Sequence, residues 1–241
     1  MKVLKIFAAP FISLGKTFGT MFGTKTKVSP LQMSLTILQV TALVLSNILV
    51  VKSIDLFGQH WLATSCAILT FPVTYILSDV FSEVYGYRWS RVSGTWAMLG
   101  TVLASCLFAL SIKIPGSQDF VNQAALEAIL GNTPKIAIAS VLAFWVGDIV
   151  DDLIFQKMKK KFPSDKAFGF RAIISSIGGK YVDQIIFTFI GLSFLPMETK
   201  IIMVINCPLV QLAIETILLP ITYRVKAWVV KAENKYLVES N

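Results

Sequence analysis

Six apolar stretches, near residues 32–51, 61–83, 92–112, 136–157, 171–195 and 201–223, are each long enough to cross a lipid bilayer, which takes about 20 residues of helix. No water satisfies backbone polar groups inside a bilayer, so such a chain folds as a bundle of membrane-spanning helices. Composition agrees: 55% of the residues are hydrophobic and 15% charged, against about 25% charged in an ordinary soluble domain. The mean hydropathy is +0.69. A globule of 241 residues cannot bury that excess, which excludes a soluble enzyme. The expected fold is all-α: a polytopic membrane protein with six transmembrane helices.

Lysines and arginines give the orientation. They cluster in the N-terminal segment (Lys2, Lys5, Lys16, Lys25, Lys27), the turn after the second span (Arg88, Arg91), the loop after the fourth (Lys157, Lys159, Lys160, Lys161, Lys166, Arg171) and the C-terminal segment (Arg224, Lys226, Lys231, Lys235). The opposite side holds Lys52, Lys113, Lys135 and Lys200, while Lys180 lies within a span. Under the positive-inside rule this bias puts both termini in the cytoplasm. It also makes the net charge of +8 a topology signal rather than a nucleic-acid footprint. The chain divides into a basic segment 1–30, a six-helix domain 31–224 and a cytoplasmic tail 225–241. Lys5 and Lys16 interrupt the apolar run at the start, so a signal peptide is not expected. Phe7, Phe11, Leu14 and Phe18 recur at helical spacing, and two readings stand: an amphipathic helix on the inner membrane face, or a disordered basic tail.

The informative residues are the charged ones within or at the ends of spans: Asp79, Glu83, Asp148, Asp151, Asp152, Asp183, Glu215 and Lys180. An ionised side chain at the bilayer centre costs roughly 2.5–3.5 kcal/mol on insertion scales, and such residues face the bundle interior or a wet cavity. Asp79 and Glu83 are four residues apart, as are Asp148 and Asp152; Lys180 and Asp183 are three apart. Each pair shares one helix face. They either form interhelical bonds that hold the bundle together or converge on a ligand cavity. One lysine cannot neutralise seven acids, so the remainder must be protonated, hydrated, at the interface, or awaiting a cationic or NH-rich ligand.

The segment Gly147–Phe155 matches Gly179–Phe187 at a 32-residue offset, with Gly, Val, Asp, Ile and Phe at equal positions. Small residues lead into each copy: Ala139, Ala143 and Gly147 before Asp151, and Ser175 and Gly179 before Asp183. Small residues four apart let helices approach closely in lipid. Consecutive spans run antiparallel, so a repeated motif implies a local pseudo-two-fold axis in the membrane plane, with Asp148 and Lys180 at equivalent positions; chance similarity is the alternative. Pro72, Pro208 and Pro220 interrupt spans and are expected to kink them, with termination of the last helix as the alternative at Pro220. Asn47 and Asn206 are uncharged polar residues at apolar depth, suited to capping or to bonding a neighbouring helix. Cys66, Cys106 and Cys207 lie in apolar runs without metal or disulfide spacing.

The run Phe71–Tyr87, with Tyr75, Asp79 and Glu83, resembles the vitamin-uptake or queuosine-precursor transporter family of six-helix bacterial inner-membrane proteins. The Gly-x-x-x-Asp segments at 147–151 and 179–183, and Glu215 followed by Pro220 and Tyr223, follow in the same order. The resemblance covers roughly residues 32–223. It implies uptake of a deazaguanine precursor of the tRNA nucleoside queuosine: the cyano base, the aminomethyl base or queuine. Two positions depart from the family pattern. Gln211 stands where a lysine often precedes the last acid by a turn, and Lys180 stands where a neutral polar residue is expected.

A deazaguanine presents N1–H and its exocyclic amine as adjacent donors, which a carboxylate accepts in bidentate fashion. An aminomethyl group adds a cation for a second acid. The expected ligand acids, in order, are Asp79, Asp151, Asp183, Glu83 and Glu215, with Asp148, Lys180, Asn47 and Gln211 as further pocket residues. Phe71, Tyr75, Trp145 and Tyr181 are available to stack on the base. No cofactor, metal or nucleic acid is expected; the partners are the small-molecule base, the lipid bilayer, and either a second copy of the chain or an energising module. Two other readings compete. One is a membrane-embedded vitamin-binding subunit of an ATP-driven uptake system. The other is a membrane enzyme, which the motifs disfavour: Ser78 precedes Asp79 and Trp145 replaces a glycine that an intramembrane aspartyl protease would need, and His60 is the single histidine.

Overall fold

The computed structural model describes residues 28–162 and 168–239, together with Gly19. The expected amphipathic helix at the N-terminus falls outside the described residues, as do the side chains of Asp148 and Asp152. Helix dominates: α1 (Pro30–Leu49), α2 (Phe71–Val80), α3 (Tyr87–Lys113), α4 (Gln123–Leu130), α5 (Thr133–Lys161), α6 (Phe168–Gly191) and α7 (Met197–Glu239). α1, α3 and α7 are long and apolar enough to cross a membrane. α5 and α6 are continuous over most of the expected fourth and fifth spans, although α6 stops at Gly191. The short α4 lies in the connection between α3 and α5.

The second span is where expectation and structure part. Residues 61–70 are not α-helical. Strand β1 (Ser53–Asp55) pairs antiparallel with β2 (Ala63–Ser65), and a 3-10 turn over Cys66–Leu69 leads into α2. The connection between the strands, two 3-10 turns over 56–62, uses positive φ at Phe57 (54°) and Gly58 (71°). Pro72 therefore does not kink a long helix; it sits in the first turn of α2, where its missing N–H would have no helical partner anyway. After Val80 the helix widens into a π turn over Phe81–Tyr85 and ends at Gly86. Gly86 has φ 81° and ψ 164°, a conformation open essentially to glycine alone.

Helix starts and stops follow local chemistry. Ser29 caps α1: its Oγ accepts the Gln32 N–H at 2.9 Å, with Pro30 at the first helical position, both standard N-terminal devices. α7 runs through Pro208 and Pro220 without ending. At 43 residues it is about 65 Å long at 1.5 Å per residue, twice the hydrocarbon thickness of about 30 Å. The stretch expected as a tail thus continues the last helix.

Two apolar clusters close opposite ends of the bundle. One joins the hairpin residues Ala63 and Ala67 to Val50, Ile136, Leu192 and Met203. The other joins Leu35 of α1 and Leu77, Val80 and Phe81 to Val229 of α7. Between them the outward surface carries Ile37, Leu103, Leu107, Ile205 and Ile217, all exposed, as a lipid-facing surface requires.

Candidate functional site

α5 and α6 share the most extensive helix–helix interface among the described residues, and glycine makes it possible. A Cβ at Gly147 would stand 3.0 Å from both the Asp183 Cβ and the Gly179 carbonyl; one at Gly179 would stand 2.9 Å from the Asp151 Cβ and 3.0 Å from the Gly147 carbonyl. The contacts are reciprocal, as a local two-fold relation between the Gly-x-x-x-Asp copies demands. Further along, Gly191 packs on Ala139, where a Cβ would come within 3.0 Å, and Ala139 and Ala143 are fully buried. Asp151 and Asp183 are thereby carried to the crossing point. The Asp151 Oδ1 is buried there without a hydrogen-bond partner among the described residues.

Around Lys180 three helices meet. Its ammonium lies 2.5 Å from Glu215 Oε1 on α7, with both side chains 30% exposed, and 5.5 Å from the centre of the Tyr75 ring on α2, within cation–π range. Tyr75 in turn stacks with Phe71, ring centres 5.9 Å apart. Asp79 lies one turn beyond Tyr75 and feels the charges of Glu215, Lys180 and Glu83; Asp183 feels that of Lys180. Tyr75, Asp79, Lys180, Asp183 and Glu215 thus form one electrostatic group drawn from α2, α6 and α7. Gln211 is half-buried on α7, one turn before Glu215.

Pro208 lies at the α6–α7 seam. It cannot donate to the Val204 carbonyl, and the neighbouring Ile205 carbonyl accepts the Tyr181 hydroxyl at 3.3 Å. Asn206 Nδ2 donates to the Trp61 carbonyl, tying α7 to the hairpin. Beside these groups a cleft of about 40 Å³ is lined by Ile177, Lys180, Tyr181, Pro208, Leu209 and Leu212. It has room for about three waters rather than a bicyclic base.

Other expected residues are engaged elsewhere. Glu83 lies in the π turn that follows α2. It is largely exposed and pairs with Lys226 at 2.5 Å. Asn47 is buried; it donates to the Leu43 carbonyl and accepts from Ser140 Oγ, each at 3.0 Å, fastening α1 to α5. Sequence reading missed a second polar junction, where Glu233 Oε1 accepts from Tyr85 at 2.7 Å and from Ser29 at 2.5 Å. Burial and the adjacent Glu233 carboxylate hold the Tyr85 phenol well above its ordinary range, so it remains a donor.

A family model described as "Putative vitamin uptake transporter" matches residues 65–225, a stretch that includes every member of the Lys180 group. A curated relative, "Probable queuosine precursor transporter" of Bacillus subtilis (strain 168), is 29% identical over 188 residues, covering 77% of this chain and 80% of the relative. No solved structure matches the chain.

Proposed function

The chain belongs to the vitamin uptake transporter family, and from that premise we propose that it is a multi-pass carrier of the bacterial inner membrane that imports a queuosine precursor, a deazaguanine base, for tRNA modification. The relative named for queuosine precursor transport supports this substrate class. In this reading the chain spans the membrane six times, the hairpin segment before α2 completing the second passage, with both termini in the cytoplasm. The lysine and arginine clusters described above support that orientation.

One observation carries the assignment of the site: Lys180 of α6 pairs with Glu215 of α7 and lies over the Tyr75 ring of α2, with Asp79 one turn beyond Tyr75 and Asp183 one turn beyond Lys180. Asp79 and Asp183 are acceptors for the adjacent N–H donors of the base. Tyr75 offers a stacking face. Asp151, with its unpartnered oxygen, is the next acceptor along the α5–α6 crossing. Glu83 and Asn47, each already bonded elsewhere, drop to supporting roles, and Gln211 stays at the margin.

The test is uptake in a bacterium unable to synthesise queuosine, with this protein as its one importer. Each base is supplied in turn, and tRNA queuosine is read as retardation on a boronate gel. Retardation with wild type that vanishes in Asp79→Asn is the expected result. No retardation with any base, despite confirmed membrane insertion, overturns the substrate assignment. Retardation that appears only when a separate ATP-driven module is present assigns the chain to the subunit reading instead.

A further inference from the structure

We propose that Lys180 is a tethered cation that screens Glu215 and so sets the preference of the site between neutral and cationic ligands; this rests on reading the Lys180 group as the substrate site. The lysine ammonium already makes the two contacts that a ligand ammonium would seek. It bonds a carboxylate at 2.5 Å and lies 5.5 Å from the centre of an aromatic ring, which are the two standard partners of a desolvated cation. At 30% exposure the pair is neither sealed in the core nor loose in solvent, and Lys180 also borders the α6–α7 cleft.

Ligand charge then matters in a specific way. A ligand offering neutral N–H donors reaches Asp79 or Asp183 without disturbing the Lys180–Glu215 pair. A ligand that also carries an ammonium must either approach the lysine charge or displace it from Glu215. At that partial exposure the repulsion is screened less than between charges in open water, and building repulsion against one ligand is an effective route to specificity. The wild-type site therefore favours the cyano base, which is neutral, over the aminomethyl base, which is cationic. The discriminating group is on the protein and acts without touching the favoured ligand.

The experiment supplies both bases together to cells unable to make queuosine, each base carrying a different isotope label, and reads the ratio of labels taken up. Taking a ratio within one population cancels differences in expression, so a merely structural role for Lys180 would leave it unchanged. Lys180→Gln is expected to shift the ratio toward the aminomethyl base by about tenfold, the size of one charge-assisted hydrogen bond. Adding Glu215→Gln to that variant removes the gain, and Lys180→Arg keeps the wild-type ratio. Glu215→Gln alone leaves the lysine charge unpaired and shifts the ratio the other way, which keeps the test open if Lys180→Gln fails to insert. Import of both bases with ratios that neither substitution moves overturns the proposal and leaves the carrier reading intact. Entry of neither base through wild type overturns the carrier reading and the proposal with it.

Discussion

Gly147 and Gly179 set how closely α5 and α6 approach, and each faces the other's Asp-bearing turn at about the limit of contact. Gly147→Leu or Gly179→Leu forces the helices apart, at an expected cost of about 1–3 kcal/mol for overpacking; a thermal melt in detergent should show a lowered Tm, and precursor uptake should fall. Gly94 of α3 has open space where its Cβ would stand, so Gly94→Ala should leave the Tm unchanged or raise it, because alanine favours helix by about 1 kcal/mol. An equal loss at Gly94 would mean the melt reports general helix perturbation. These crossing residues were legible in the sequence because the motif occurs twice, and a repeated small-residue ladder has one main physical use. The Glu233 junction was not legible: its partners Ser29 and Tyr85 lie 204 and 148 positions away, and no local spacing encodes such a meeting. Tyr85→Phe should cost about 1.5–3 kcal/mol, the range for a hydrogen bond to a charged acceptor, by the same melt. Because the folded phenol titrates above its ordinary value, that contribution should persist through neutral pH and fade only as the pH rises beyond about 10.

At the scale of elements, apolar content located the long helices well and α2 poorly. An apolar decapeptide reads alike as helix, strand or 3-10 turn, so residues 61–70 gave no period to separate them. Pro72 was the available signal, since proline is more at home in a first turn than in a helix interior. The π turn had no signature, and it carries Glu83 to its exposed pairing with Lys226. It ends on Gly86, where alanine would be strained by about 1–3 kcal/mol; Gly86→Ala should lower both folded yield and Tm. The far end of α7 is likewise more than a tail, because Val229 is fully buried against α2. Removing residues 225–241 should therefore destabilise the transporter and abolish uptake. A truncated protein that melts and transports like wild type would show that the extension is dispensable.

For the whole molecule, α1, α3, α5, α6 and α7, with α2 and its hairpin, form one bundle with apolar clusters at both ends and its charged groups along the seams of α2, α6 and α7. Reporter fusions check the orientation: a reporter active only in the cytoplasm should work when joined at the C-terminus and fail when inserted near Gln123. The central claim is that this one chain moves a deazaguanine base through the Lys180 group. Its most direct test is the purified protein in liposomes, with entry of labelled base measured in the absence of any other protein. The account predicts entry through wild type and its loss in Asp79→Asn that still inserts and folds. Equal entry through both would contradict it.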